Sequence, residues 1–418
     1  MASLKTSLKV GVYLGIRQLK RSSRWTTGLI VFIMTLTFLN LVVVSGILVG
    51  LIVGGNNANK EQYTGDVIMT TLSGKPDIAR SQDILATIRA NDQFTTYSER
   101  FLEGAQVEAN YKTRTDFNGL ADTAGTQLAG IDPVREDEFS NISRYVVEGD
   151  YLDPTESGYV VLGANLLGRF SASFGDGFDS LSGTYPGDTV KIKVGNTTQE
   201  FIVKGIVDSK VGEVSIRAFI TTSDFLRMVE RSSLNVNEIS LRHGPAITDD
   251  QAKQILVANG FSDSAKIQTA EEAIPDFLDQ IKTAFGLLGN MIGAIGIVVA
   301  SITIFIVIFI NAVTRRKFIG IMKGIGVSSQ AIQISYLVQS IFYAVSGSVL
   351  GTALLYGVLV PAFARNPIDF PFSDGILVAE PTGTLIRIII LLVVTLIAGF
   401  IPARMIVRKN TLDSILGR

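Results

Sequence analysis

Residues 283–317 read TAFGLLGNMIGAIGIVVASITIFIVIFINAVTRRK, 32 positions without a charge closed by Arg315, Arg316 and Lys317. A helix of about 20 apolar residues crosses a ~30 Å hydrocarbon core, so this stretch spans a membrane with residues to spare. The basic triplet marks where it leaves. Working outward, residues 25–59 hold no charge over 35 positions, residues 324–364 none over 41, and residues 381–403 only Arg387. The expectation is a membrane protein with four transmembrane α-helices, one plus three, and a large α+β extracytoplasmic domain inserted between helices 1 and 2.

The charges flanking these stretches are sorted by sign. Residues 1–25 carry Lys5, Lys9, Arg17, Lys20, Arg21 and Arg24, residues 315–323 carry Arg315, Arg316, Lys317 and Lys323, and the tail carries Arg404, Arg408, Lys409 and Arg418, all against Asp413 alone: 14 bases to 1 acid. Residues 60–282 hold 21 bases and 34 acids, and the loop 365–380 sets Arg365 against Asp369, Asp374 and Glu380. Basic loops stay in the cytoplasm. Both termini and the turn after helix 2 are therefore expected inside a cell (inner) membrane, with the large domain outside. The first uncharged stretch is far longer than the 7–15 residues of a signal-peptide core, which argues for an uncleaved helix. Ahead of it, Leu4, Leu8, Leu14, Ile16 and Leu19 recur at helical spacing with bases between them. That pattern predicts an amphipathic helix on the inner leaflet. It runs into the first span at Trp25, the only tryptophan, where an interfacial aromatic belongs.

Composition excludes several chemistries. With no cysteine there is no disulfide, no thiol nucleophile and no Cys-based metal site. The only histidine, His243, precedes Gly244 and Pro245 and reads as a loop residue, without a metal-ligand spacing or a serine partner. No phosphate-binding loop occurs, since Gly74-Lys75 is followed by Pro76. The spans offer no ionisable residue except Arg387, whereas an ion-coupled carrier needs such groups near the midplane. They read as packing surfaces and levers. Small residues suit that role: Gly46, Gly50 and Gly54 in the first, Gly347 and Gly351 in the third, and in the second a one-faced stripe of Gly286, Gly289, Gly293 and Gly296. Such spacing permits close helix–helix approach, within the chain or across a dimer.

In the insert, strands are expected at 66–72, 107–117, 159–162, 189–194, 200–207, 214–221 and 237–241. Helices are expected at 81–90, 133–141, 164–170, 224–231 and 249–258, the last behind the capping box Thr248-Asp249-Asp250-Gln251. A second box, Thr269-Ala270-Glu271-Glu272, is expected to open a stalk that continues into the second span past Pro275.

Against this background the chain resembles MacB/LolC/FtsX-type ABC transporter permeases of the mechanotransmission class (type VII). The run from Thr314 to Val327 is similar to that family's R-R-x-E-I-G-x-x-K-x-x-G element, and Ile401-Pro402-Ala403-Arg404 to its closing Y-P-A-R. Leu14-Gly15-Ile16-Arg17-Gln18-Leu19 resembles its opening L-A-x-R-N-L. Glu148–Leu152, Val160–Gly163, Pro186–Val190 and Phe201–Ile206 resemble its external core domain. Phe318 stands where the family usually has Glu. The resemblance implies that Arg315, Arg316, Lys317, Phe318, Ile319, Gly320, Lys323 and Gly326 form a coupling turn that docks on a separate ABC ATPase of the MacB/LolD/FtsE kind. It also implies a second permease copy or paralogue, with membrane lipids around both and no nucleic acid. No cofactor or metal is expected, and the chain is not expected to be an enzyme, ATP hydrolysis being the partner's.

The expected organisation is 1–25 cytoplasmic helix, 26–55 helix 1, 56–280 external domain, 281–314 stalk end and helix 2, and 315–330 coupling turn. Beyond these come 331–361 helix 3, 362–382 external loop, 383–406 helix 4 and 407–418 tail. The expected work is export of a lipoprotein or lipid, a peptide or a drug. Two alternatives stay open at this point: regulation of a cell-wall hydrolase in the manner of FtsX, and a receptor or adaptor with a ligand-binding ectodomain.

Overall fold

The computed structural model describes residues 4–112, 121–171, 179–230, 233–274, 276–370, 372–375 and 377–407. The chain divides into two units, one of residues 1–52, 280–368 and 375–418 and one of residues 53–279 and 369–374.

The first unit holds helices rich enough in apolar residues that water is a poor solvent for every face. They run Arg24–Asn59, Asp276–Thr314, Ser329–Leu354 and Pro381–Val407, the third continuing through a π-turn at Leu355–Leu359 into Val360–Arg365. Four helices among the described residues are long and apolar enough to cross a membrane. At 1.5 Å per residue the 39-residue second helix is roughly 58 Å long, well beyond a ~30 Å hydrocarbon core.

The helices meet through small residues. A Cβ on Gly347 would lie 2.6 Å from Met34 Cβ, and one on Gly351 would lie 2.3 Å from Phe38 Cδ1, so these glycines let the third helix close on the first. Met34 and Phe38 are fully buried there with Ile304, Ile308, Tyr336, Tyr343 and Leu391. Gly399 meets Ser340 in the same way. Of the glycine stripe, Gly289 faces Leu48 and Ser45, Gly293 faces Leu41 and Gly296 faces Asn40, all on the first helix, while Gly286 meets nothing within 4 Å. The stripe is the looser contact, its nearest neighbours standing 3.2–3.4 Å from a built Cβ. Gly351→Leu is therefore expected to destabilise the solubilised chain by about 1–3 kcal/mol, whereas Gly286→Leu leaves it unchanged. Equal melting temperatures for the two variants would dismiss this packing. Arg387 donates to Ser45 Oγ of the first helix at 2.6 Å.

One expectation needs correction here. The amino-terminal helix Leu4–Lys20 is not simply laid on lipid. Gly11 and Gly15 seat it against Ala331, Ile334, Ser335 and Val338 at the start of the third apolar helix. Ser7 Oγ lies 3.0 Å from Ser328 Oγ, and Gln339 donates to Gln18 at 2.7 Å. Contacts that rise together in both numberings mean that the two helices run parallel. Leu8, Tyr13 and Ile16 remain exposed. The sequence reading rested on the apolar spacing and the bases between, and did not use Gly11 and Gly15.

The second unit is built on strands β1 (Val67–Thr70), β2 (Phe94–Glu108), β3 (Thr123–Ile131), β4 (Val146–Gly149), β5 (Tyr159–Gly163), β6 (Thr189–Val194), β7 (Thr197–Val207), β8 (Arg217–Thr221), β9 (Glu238–His243) and β10 (Lys266–Thr269). They pair in the order β10-β1-β9-β2-β3-β8-β5-β7-β4, and β6 joins β7 back to β2. The ladder β2-β3-β8-β5-β7-β6 thus closes on itself. β2 makes this possible by its length: Arg100–Glu108 pairs β3, its first half pairs β9, and Gln106–Glu108 pairs β6. Side chains alternate between two cores, as a period of two requires. Ala218 and Ile220, Val160 and Leu162, and Phe201 and Val203 join the larger core. Phe219, Val161 and Val207 join a second with Leu102, Ile131, Ile142 and Leu152.

Helices Ser81–Ala90 and Asp249–Ala258 fall where expected, and the Thr248/Gln251 capping box is formed. Others differ. Of the strand expected at 107–117, only residues 107 and 108 belong to β2; residues 109–112 are not strand, and positions 113–117 lie outside the described residues. β3, β4 and β10 and residues 94–106 of β2 were not foreseen, and residues 212–215 form a helical turn before β8. The segments expected at 164–170 and 224–231 are two short turns and a helix at Thr222–Met228. The Thr269/Glu272 box makes both reciprocal bonds, at 3.3 and 3.1 Å, but around a turn; the helix begins at Asp276.

Candidate functional site

Between the second and third apolar helices the chain makes a nine-residue helix, Arg316–Gly324. Its end is a consequence of Gly326, whose φ of +92° is open to glycine and costly for other residues. With that residue left-handed, Val327 N–H reaches Met322 O at 2.9 Å and Gly326 N–H reaches Lys323 O at 3.1 Å, a Schellman closure. Ser328 then caps the third apolar helix, accepting from Ala331 N–H at 3.3 Å.

The helix has two faces. Ile319 and Gly320 are buried, and Ile319 packs with the membrane core. Phe318, Ile321 and Ile325, spaced three and four apart, point outward at 67%, 51% and 76% exposure. Together they form an apolar face left open over about two turns, the kind of surface that meets protein or lipid. Lys317 is exposed beside it. Lys323 turns back and donates to Val407 O at 3.1 Å, tying this helix to the end of the last one. Arg315 lines a groove shared with the amino-terminal helix. Of the eight residues expected in a coupling turn, then, Lys317 and Phe318 stand on the open side, and Ile321 and Ile325 complete the face.

In the sheet unit the densest chemistry is a buried ionic cluster that sequence reading did not find. Arg100 on β2 donates to both Glu136 carboxylate oxygens at 2.8 and 2.7 Å, and Arg217 on β8 to both of Glu238 at 3.0 and 2.8 Å. Between the two guanidinium groups lies the Tyr63 ring, 5.2 Å from Arg100 Cζ and 5.1 Å from Arg217 Cζ, with its hydroxyl donating to Glu238 at 2.7 Å. Tyr63 belongs to the π-turn that ends the helix begun at Arg24. Burial alone would raise both carboxyl pKa values, but the charge and hydrogen bonds of Arg100 and Arg217 outweigh it and hold Glu136 and Glu238 below the ordinary range. The one available signal was a charge pattern, Glu99, Arg100 and Glu103, inside an otherwise strand-like run.

His243 closes β9 rather than sitting in a loop. Its Nε2 lies 2.9 Å from Asp249 and its Nδ1 2.7 Å from Gly244 O. Burial opposes its protonation, but Gly244 O, Asp249 and Asp66 together raise its pKa. Asp66, His243 and Asp249 are close enough to share a cation. The Lys60 ammonium already bridges the two carboxylates at 2.8 and 2.9 Å, so a resident positive charge occupies that position.

Comparison with known proteins agrees with the membrane half. Residues 290–411 match the family profile described as FtsX-like permease C-terminal. The chain is 24% identical over 188 residues to the macrolide export ATP-binding/permease protein MacB of Shewanella sp. (strain W3-18-1), covering 43% of this chain and 27% of that one. It is 27% identical over 133 residues to the ABC transporter permease YtrF of Bacillus subtilis (strain 168), 30% of either chain. The match therefore spans about a quarter to a third of these relatives' own length. Among solved structures, the periplasmic region of MacB from Actinobacillus actinomycetemcomitans aligns over 50% of this chain and 90% of its own, with TM-score 0.34 and 13% identity. Residues 290–411 are thus similar to the FtsX-like permease C-terminal family, and parts of the chain are similar to MacB and YtrF.

Proposed function

We propose, taking the FtsX-like permease region as the premise, that this chain is the membrane subunit of an ABC transporter, transmitting ATP-driven motion of a separate ATPase to its own sheet domain outside the membrane. The observation that carries the reading is the helix Arg316–Gly324, which lies inside the matched region and keeps Phe318, Ile321 and Ile325 uncovered. A docking helix needs such a face. Nucleotide closure in the ATPase would press two copies of this helix together, in a dimer of this chain or with a paralogue. The acid-free spans support a substrate that is moved outside the membrane, without an ion path between the helices. Export of a lipoprotein or lipid, a peptide or an amphipathic drug suits this best. Control of an extracytoplasmic hydrolase would use the same motion without a cargo.

The charge distribution supports cytoplasmic termini and an external sheet domain. A reporter fused after Arg418 is expected to be active only in its cytoplasmic form; activity restricted to the outside would end the four-span topology.

The energy source is tested directly. The purified chain alone is expected to hydrolyse no ATP, whereas the chain isolated with its native neighbours is expected to bring an ABC ATPase with it. Hydrolysis by a preparation shown to contain this chain alone would overturn the proposal.

A further inference from the structure

The amino-terminal helix and the helix Arg316–Gly324 enclose a groove of about 530 Å³ whose lining includes Arg17, Arg21, Arg315, Phe318, Met322 and Tyr336. Its charge is unbalanced to an unusual degree. No acid occurs in residues 1–60 or 283–368, so neither wall can supply a carboxylate. Among the described residues of this unit the one acid is Glu380, at the opposite end of the fourth helix from Val407, which Lys323 contacts. Arg17 donates to Tyr13 Oη at 3.1 Å, a neutral partner. The floor adds an independent sign. Tyr336 is 1% exposed, and its hydroxyl has no hydrogen-bond partner among the described residues. A buried hydroxyl without a partner costs stability that a bound acceptor would recover.

Depth selects the kind of anion. Arg21 is four residues from Trp25, which is 90% exposed at the start of the first apolar helix, where interfacial aromatics sit at headgroup level. Tyr336 lies two turns into the third apolar helix. A groove between these marks falls at the depth where interfacial aromatics and lipid phosphates sit. Guanidinium groups bind phosphate oxygens in a two-pronged fork, and basic pockets between membrane helices accept anionic headgroups.

We propose that this groove binds an anionic phospholipid, its phosphate held by Arg17, Arg21 and Arg315 and its acyl chains running along Leu14 and Met322. Phe318 and Ile321 line the groove and also belong to the outward face of the helix Arg316–Gly324, so lipid and ATPase would meet at these two side chains.

The test uses the full chain, purified in detergent, stripped of lipid and offered dioleoyl phosphatidylglycerol or dioleoyl phosphatidylcholine, with retained lipid counted by native mass spectrometry. At about fivefold per arginine, wild type retains one phosphatidylglycerol with a preference of roughly 100-fold, and Arg17→Ala/Arg21→Ala loses roughly 20-fold of it. Tyr336→Phe, which keeps the shape of the floor, lowers retention severalfold, while the lipid-stripped variant melts no lower than wild type. Equal retention of both lipids by wild type overturns the proposal. So does an undiminished preference in a double-alanine variant that melts like wild type. Displacement of the lipid by glycerol phosphate at the lipid's own concentration would make this a site for free phosphate and defeat the lipid assignment. Unchanged lipid preference with loss of a co-purifying ATPase would assign the arginines to a protein partner instead.

Discussion

Arg100→Ala is expected to lower the stability of the sheet unit by about 3–5 kcal/mol, because the substitution leaves Glu136 buried, ionised and without its two-pronged partner. For a unit of this size that is a fall in melting temperature of roughly 10 °C or more. The deficit also has a pH signature. Glu136 has a folded-state pKa below its unfolded one, so the pair's contribution is complete above the unfolded value near 4.3 and disappears only as pH falls through the folded one. At neutral pH the wild type keeps all of it. Replacing both partners, Arg100→Met/Glu136→Met, removes the charge along with its counter-charge and should recover most of the loss. Thermal denaturation of the full solubilised chain compares the three forms. A single variant within about 1 kcal/mol of wild type would show that the cluster is incidental to stability.

Phe318→Ala is expected to weaken ATPase binding by tenfold or more. Truncating a central aromatic anchor commonly costs about 2 kcal/mol, and Phe318 is the largest side chain on the open face. Lys317→Ala should cost less, and its effect should shrink as salt is added, because an exposed charge acts through a screened field. The sheet unit should unfold at the same temperature in both variants. Undiminished ATPase recovery with Phe318→Ala would make the helix Arg316–Gly324 a membrane anchor and no more. The family's glutamate would offer a partner an ion pair at this position; phenylalanine offers area, so the partner's matching surface is expected to be apolar.

The four long helices were legible in the sequence because lipid imposes a simple rule, the exclusion of charge, over many consecutive residues. The turn at 315–330 was legible as an interruption of that rule, though not the left-handed Gly326 that ends its helix. β2 was hidden for the opposite reason: its Arg100 and Glu99 look like surface residues, yet Arg100 is 2% exposed and serves as core through its pairing with Glu136. Polarity in a strand reveals burial only once the partner 36 residues away is known. The groove was equally hidden. Its walls come from residues 14–21 and 315–336, and the only local clue was Gly11 with Gly15, a small-residue pair outside any span. Tyr63 drew no notice, since a lone tyrosine after a long apolar run says nothing of two arginines brought to it from β2 and β8.

The closed ladder restricts how copies of this chain can associate. A strand in the ring β2-β3-β8-β5-β7-β6 has a neighbour on each side, so trading it with another molecule would break two rows of hydrogen bonds before any could re-form. The ladder ends at β10 and β4, each four residues long, too short to template an extended intermolecular sheet. Domain swapping and edge-to-edge aggregation are both poorly served by such a topology. When two sheet domains are held side by side at high local concentration, as any dimer of this chain would hold them, they can meet and part repeatedly through side chains while each keeps its own strands.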